Sequence, residues 1–413
     1  MSRVDDLIKE LCPNGVTFVT LEKLFHIKGG YTPPKSNPKN WETSEIPWFR
    51  MEDIRENGPV LDAALSGVSP AAVKNGQLFP ADSLIVATSA TIGEHALIRV
   101  PYLCNQRFVS LQVKEEFRNL VDIKFLHYYA YVLDEWCLSN TTQSSFASVQ
   151  MKGFKKFKFP IPPLEIQQEI ARILDKFTQL EAELEAELEA RRKQYAYYLE
   201  KLGEVLRTKF PTTSLGDVGD WAGGNTPSKG DPKYWENGEI LWVSSKDMKS
   251  SHITATKFRV TERAISEGPA RMIPKGAVLV VTRSSILERT LPVANLATEA
   301  TINQDIKAII PSGEFDHRYI YFAIKWSADE ILRTIRKSGG SVTSLDTKKL
   351  KGFKIPAPPL EEQRRIVAIL DKFDALVNDI STGLPAEIAA RRKQYEYYRD
   401  KLLSFQPAAS AQQ

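Results

Sequence analysis

One segment occurs twice in this chain, and no other feature limits its fold so strongly. Residues 157–202 and 353–402 both open Phe-Lys-x-Pro-x-Pro-Pro-Leu-Glu, pass through Ile-Leu-Asp-Lys-Phe and close Ala-Arg-Arg-Lys-Gln-Tyr-x-Tyr-Tyr. The repeat reaches upstream. Ile27-Lys28-Gly29-Gly30-Tyr31-Thr32-Pro33 is answered by Trp221-Ala222-Gly223-Gly224-Asn225-Thr226-Pro227, and the Trp-Glu pair Trp41-Glu42 by Trp235-Glu236, at a constant offset of 194 residues. Asn105-Gln106 is answered by Asn303-Gln304. Each half therefore reads as a globular unit followed by a long helix. Between these anchors the halves diverge, so one scaffold carries two different surfaces.

The helical segments are periodic. In the first, Ile170, Ile173, Phe177, Leu180, Leu184, Leu188, Tyr195, Leu199, Leu202 and Leu206 step by three or four, an apolar seam among charged faces. Pro162 and Pro163 suit its first turn. From Leu164 to Leu206 it spans about 65 Å at roughly 1.5 Å per residue. The second runs its seam through Ile366, Ile369, Phe373, Leu376, Ile380, Ile388 and Tyr395, and Gly383-Leu384-Pro385 predicts a kink or restart. A seam needs a partner in water. The nearest is its own copy, paired antiparallel because the second helix returns the chain, with the globular units at opposite ends of a rod about an approximate two-fold axis. Short apolar strands such as 83–88 and 277–282, with helical stretches 123–136 and 318–335, give an α+β unit.

A chain of 413 residues exceeds one ordinary core. Its 55 basic and 51 acidic residues leave a net charge of +4, so any polyanion site must come from clustering. Three cysteines without C-x-x-C spacing indicate free thiols in a reducing compartment and no zinc site. The N-terminus lacks a signal pattern and no apolar run is long enough for a membrane helix, which points to the cytoplasm. Phosphate loops, H-E-x-x-H and G-x-S-x-G elbows are absent, as are dinucleotide fingerprints and the Pro-Pro-aromatic motif of amino-methyltransferases.

What remains suits a polyanion. The first unit offers Lys28, Tyr31, Arg50, Ser89, Thr91, Gln106 and Arg107. The second offers Asn225, Ser244, Ser245, Lys246, Arg283, Ser284, Ser285, Gln304 and Lys307. Lys and Arg neutralise phosphates; Arg, Asn and Gln make paired hydrogen bonds to base edges. The glycine pairs, including Gly339-Gly340, let backbone approach closely or simply form loops. Trp41, Trp48, Trp235 and Trp242 recur in both units and read as shared core. The asparagines of the Asn-Gln pairs can equally cap turns. Arg191, Arg192, Tyr195 and Tyr198, with Arg391, Arg392, Tyr395 and Tyr398, form a basic aromatic patch used twice, the composition of a docking surface.

The paired GG-x-TP openings and PPLExQ…ILDKF…RRKQYxYY segments resemble those of specificity subunits of type I restriction-modification systems over nearly the whole chain. Leu-Glu-Ala-Glu-Leu-Glu-Ala-Glu at 180–187 is similar to the central tetrapeptide repeat of the type IC group. The resemblance implies target recognition domains at 1–157 and 208–353, a central conserved helix at 158–207, a distal one at 354–404 and a tail at 405–413. It implies one half of a bipartite, asymmetric DNA site per domain, with the antiparallel coiled coil as ruler for the spacer. Two tetrapeptides imply about six base pairs, one helical turn of about 5.4 Å being comparable to one or two base-pair rises. Two methyltransferase subunits are expected on the helices and two translocating nuclease subunits beyond them, bringing S-adenosylmethionine, ATP and magnesium; this chain is expected to hold no cofactor and no metal. The alternatives are a self-contained DNA-processing enzyme with a cryptic site, or a coiled-coil scaffold.

Overall fold

The computed structural model describes residues 3–142, 147–337, 342–379 and 382–408. Gly339, Gly340 and Ile380 lie outside them. The molecule divides into two compact units, Met1–Glu181 with Arg391–Gln413, and Ala182–Ala390. Both have the mixed α+β architecture that the repeat predicts, and they share one topology.

In the first unit a five-stranded sheet runs in the order Phe25–Gly29, Phe108–Val113, Ser83–Ala87, His95–Ile98 and Val60–Leu61. In the second, Gly219–Gly223, Ile306–Pro311, Val278–Val281, Val293–Leu296 and His252–Ile253 repeat it. In each, the last pairing is parallel and the other three antiparallel. A smaller sheet follows the same plan: Gly67–Val68, Ile46–Phe49 and Leu103–Cys104 in one unit, and Phe258–Val260, Ile240–Val243, Ala300–Ile302 and Met272–Ile273 in the other. Apart from Ser83 the central strands are Val, Ile, Leu and Ala, buried on both faces.

The tryptophans do the same work twice. Trp41 and Trp48 meet edge to face at 5.4 Å and 84°, Trp235 and Trp242 at 5.2 Å and 83°. Their indole N–H groups donate to Pro34 O, Tyr31 O, Ser228 O and Asn225 O. A base stacked between the rings would have to break this packing. The first unit also buries a polar chain with no copy in the second. His95 Nδ1 meets Asp134 Oδ2 at 2.5 Å, and His95 Nε2 meets His127 Nδ1 at 3.1 Å.

Each domain is closed where it joins its helix. Phe18–Thr20 pairs with Lys158–Pro160, and Thr212–Ser214 with Lys354–Pro356, so the Phe-Lys-x-Pro motif is an edge strand leading into the proline turn. The central helix then runs Leu164–Lys209. Its first turns sink Ile166, Ile170 and Leu174, each 0% exposed, into the first domain core. Burial of this kind contributes about 1.5–3 kcal/mol per side chain. The second helical segment is two helices, Leu360–Asn378 and Leu384–Leu402. Gly383 explains the restart: a Cβ there would lie 2.3 Å from Ala375 O, so only glycine lets the chain fold back on the preceding helix end.

Pairing is antiparallel within each unit. In the first, Phe177 stacks on Tyr398 and Glu181 pairs with Arg392, so one helix ascends as the other descends. In the second, Tyr195 reaches Asp374, while Leu206 and Ile366 share the same core. The seam itself corrects the periodic reading. Ile369, Phe373 and Leu376 are exposed, and the buried face runs through Ile366, Val367, Leu370, Asp374 and Val377. The helix is rotated because Asp374 points inward, where it accepts from Arg318 Nη2 at 3.3 Å and Tyr195 Oη at 3.4 Å. Leu180, also assigned to the seam, is exposed.

Candidate nucleic-acid interface

Four chain segments converge at one end of each recognition domain, and backbone hydrogen bonds fix them. In the first, Tyr31 N donates to Cys104 O at 2.8 Å, Asn105 N to Phe49 O at 3.1 Å, and Thr88 N to Arg107 O at 2.9 Å. In the second, Asn303 N donates to Val243 O at 3.0 Å and Thr282 N to Asp305 O at 2.8 Å. A fifth strip joins each cluster: Val149 N donates to Thr88 O and Leu345 N to Thr282 O. The second glycine of each pair makes the convergence possible. A Cβ on Gly30 would lie 2.2 Å from Asn105 O, and one on Gly224 only 1.9 Å from Ile302 O.

Within this frame the repeated polar residues are partly spent. Asn105 Oδ1 accepts from Arg107 N at 3.0 Å and Asn303 Oδ1 from Asp305 N at 3.1 Å, so both asparagines cap turns. Thr32 donates to Gln106 Oε1, and Thr226 to Gln304 Oε1 at 2.5 Å. The threonine of GG-x-TP thus holds the glutamine carbonyl and leaves its amide N–H groups facing outward as donors. Asp53 and Asp247 anchor the neighbouring loops. Asp53 accepts from Arg50 N at 2.6 Å and Leu65 N at 2.5 Å, Asp247 from Ser244 N at 2.9 Å and Lys257 N at 3.0 Å. Neither aspartate was among the candidates. Their recurrence at the 194-residue offset was the available signal.

The candidate residues fall into two groups. Lys28, Gln106, Arg107, Asn225, Lys246, Arg283, Ser285 and Gln304 are exposed. Tyr31, Arg50, Ser89, Thr91, Ser244, Ser245, Ser284 and Lys307 are partly covered. Tyr31 donates to Ala72 O at 3.0 Å, accepts from Lys74 N at 3.1 Å and lies under Lys74 Nζ at 4.2 Å. Arg50 donates to Ser66 Oγ at 2.8 Å and rests over Trp48. Ser89 bridges to Ser148, and the Thr91 hydroxyl is buried without a hydrogen-bond partner among the described residues. Ser244 Oγ donates to Asp247, Ser284 Oγ accepts from Ile286 N, and Lys307 lies against Gly223.

The anchoring aspartates align what differs between the domains. Arg50 occupies the place of Ser244, Leu65 that of Lys257, and Ser66 that of Phe258. Phe258 is 49% exposed with Lys257 Nζ 5.5 Å from its ring, a basic aromatic pair that the first domain lacks at this place. Reading by motif missed it because neither residue belongs to the repeat.

The proposed docking patch is also unequal. Arg191 pairs with Glu187 at 2.7 Å and Gln194 at 2.9 Å, and Tyr198 is 56% exposed. Tyr195 is buried in the seam, where burial and then Asp374 push its hydroxyl far above the ordinary tyrosine range. Arg192 lines a separate cleft with Tyr197 and Trp326. Beside Tyr198 a cleft of about 670 Å³ opens between Leu202, Val205, Ile369 and Phe373. In the first unit Phe177 and Tyr398 stack at 5.6 Å, Tyr395 is half-buried beneath Arg399, Arg391 holds Gln394 and Arg392 holds Glu181.

The family model described as the type I restriction modification DNA specificity domain matches residues 13–190 and again 208–390. The chain belongs to that family. The EcoprrI type I specificity subunit of Escherichia coli is 38% identical over 92% of this chain and 93% of its own. The EcoR124I/EcoR124II specificity subunit of the same organism is 47% identical over 64% of this chain and 69% of its own. A solved chain from a type I R-M system, described in terms of complex assembly and conformational transition, superposes with a TM-score of 0.63 over 95% of this chain and 98% of that one. At 18% identity it shows the fold alone. The two matched segments are the specificity domains of a type I specificity subunit, the non-catalytic component that serves DNA sequence specificity. Among the described residues no helix is long and apolar enough to cross a membrane, and no His, Cys, Asp and Glu cluster is arranged to hold a metal ion.

Proposed function

We propose that this chain reads a bipartite, asymmetric DNA site, one recognition domain per half-site, and carries two methyltransferase subunits on its helices. The observation behind the reading is the duplicated loop cluster. Backbone, glycines, Asn caps and Thr–Gln contacts repeat, while Arg50 and Ser66 give way to Ser244 and Phe258. An invariant frame with exchanged side chains suits two readers of different sequences. Lys28 and Arg107 in one cluster, and Lys246 in the other, are exposed for phosphate contact, and Arg283 is exposed for contact with base edges. S-adenosylmethionine, ATP and magnesium belong to the methyltransferase and the translocating nuclease subunits in this reading, with two of each subunit per chain. The resemblance of the two central tetrapeptides to the type IC repeat suggests a spacer of about six base pairs, in which each tetrapeptide adds about one helical turn.

Footprinting of the chain with its methyltransferase partner tests this. One split motif, protected in two blocks and released steeply by added salt, supports the reading. Protection without sequence preference at any salt concentration overturns it.

A further inference from the structure

The glutamine of the repeated PPLExQ motif makes the same three hydrogen bonds in both units. Gln167 is 0% exposed. Its Oε1 accepts from Asp122 N at 2.8 Å, and its Nε2 donates to Leu120 O at 2.8 Å and Pro162 O at 2.7 Å. Gln363, 1% exposed, accepts from Asp316 N at 2.9 Å and donates to Glu314 O at 3.1 Å and Pro358 O at 2.9 Å. Asp122 and Asp316 cap the first helix that packs under each five-stranded sheet, Ile123–Ser139 and His317–Trp326. One side chain therefore ties three things together: the strut helix, the proline turn before it, and the start of the domain helix.

A second tether lies two helical turns on. Asp175 takes Lys124 Nζ at 2.6 Å and Tyr128 Oη at 2.7 Å. Asp371 takes Arg318 Nε at 2.8 Å. One point of attachment is a pivot; two, about 12 Å apart along a helix, fix an angle. The angle matters because a domain of about 150 residues has a radius of gyration near 15 Å, so its far edge lies about 30 Å from the mount. A tilt of about 10° moves its far edge by roughly 5 Å, more than one base-pair rise of about 3.4 Å.

We propose that Gln167 and Gln363, with the Asp175 and Asp371 tethers, are positioning residues that set how strictly the spacer length is read. The proposal rests on the bipartite reading above. The mounts differ in strength. The Lys124 and Asp175 side chains are 50% and 39% exposed, whereas the Arg318 side chain is 6% exposed and meets both Asp371, 42% exposed, and the buried Asp374. The first domain thus depends more on its glutamine, and Gln167 is the more sensitive position.

The test uses the complex with methyltransferase subunits and a pool of DNA targets that carry both half-sites over a range of spacers, read by sequencing methylated adenines. Gln167→Met is expected to raise methylation at spacers one base pair shorter and longer by about tenfold relative to the native spacer, the scale of a lost buried hydrogen-bond set. The half-site sequences stay unchanged, and Gln363→Met does the same more weakly. If Gln167→Met is insoluble, Lys124→Ala serves, with Lys124→Arg, which places the residue of the second domain there, restoring strict spacing. Lower methylation at an unchanged single spacer overturns the mount and leaves the bipartite reading intact. A wild-type complex whose target has no separate halves overturns the reading itself.

Discussion

At the scale of single residues, the recognition loops separate what holds the frame from what faces outward. Gly29 and Gly30 are adjacent yet unequal, since a Cβ on Gly29 meets nothing within 4 Å while one on Gly30 collides with Asn105 O. Gly29→Ala is therefore expected to leave the thermal midpoint within about 1–2 °C, and Gly30→Ala to cost at least about 2 kcal/mol. Differential scanning of the two variants checks this, and equal midpoints contradict the close-approach account. Arg283 is exposed on the second cluster, its backbone N–H held by Asp305 O at 3.2 Å. Arg283→Ala is expected to relax recognition of one half-site by about 1–3 kcal/mol per affected base pair and leave the other unchanged. Selection from randomised half-sites measures this; equal loss at both halves counts against it. Buried His127 gives the first domain a pH dependence. Burial, and then the neighbouring His95, hold His127 well below the ordinary imidazole range, so it stays neutral in the fold. The unfolded chain takes up that proton near pH about 6.5. Below that pH the unfolded state binds more protons, so stability is full above it and falls as the pH drops toward the depressed value. Melting at about pH 7.5 and about pH 5.5, roughly one unit either side of that value, should show the drop. His127→Asn should reduce it, and an unchanged drop would assign the effect to other groups.

Among the secondary-structure elements, the helices were the most legible part of the sequence. Their period, the proline turn and the Gly383-Leu384-Pro385 restart are all local signals, and the structure has Leu164–Lys209 as one helix and Leu360–Asn378 with Leu384–Leu402 as two. Which face is buried was less legible. Apolar periodicity favours Ile369 and Phe373 for the seam, yet Asp374 is 3% exposed and they are not. A carboxylate turns inward only where a cation waits, and Arg318 is 56 residues away in sequence. The same limit hid the role of Gln167, whose partners are backbone atoms 45 and 47 residues distant. Deleting Leu184–Glu187 removes about one helical turn, or about 5.4 Å, and returns the seam to nearly the same face. Methylation should move to a shorter spacer with both half-sites retained; an unchanged spacer refutes the ruler.

Taken whole, the molecule is one domain plan used twice. The strand order, the tryptophan pairs, the aspartate anchors and the glutamine clips recur, while loop side chains such as Arg50 and Ser66 give way to Ser244 and Phe258. The duplication was legible because packing and backbone hydrogen bonds preserve glycine, proline, tryptophan and glutamine at fixed places. The proposed reading surface was legible only in part. Half of its candidates turned out to be partly covered, and Phe258 with Lys257 lay outside every repeated motif. Side chains that differ between the copies leave no internal comparison by which to find them. The central claim is that two similar domains each recognise their own stretch of duplex. Sequencing the methylated adenines in the genome of a cell that carries this chain and its methyltransferase partner tests it most directly. The account predicts one motif made of two unlike half-sites at a fixed separation, with a modified adenine in each. A single uninterrupted motif, or two identical halves, would contradict it.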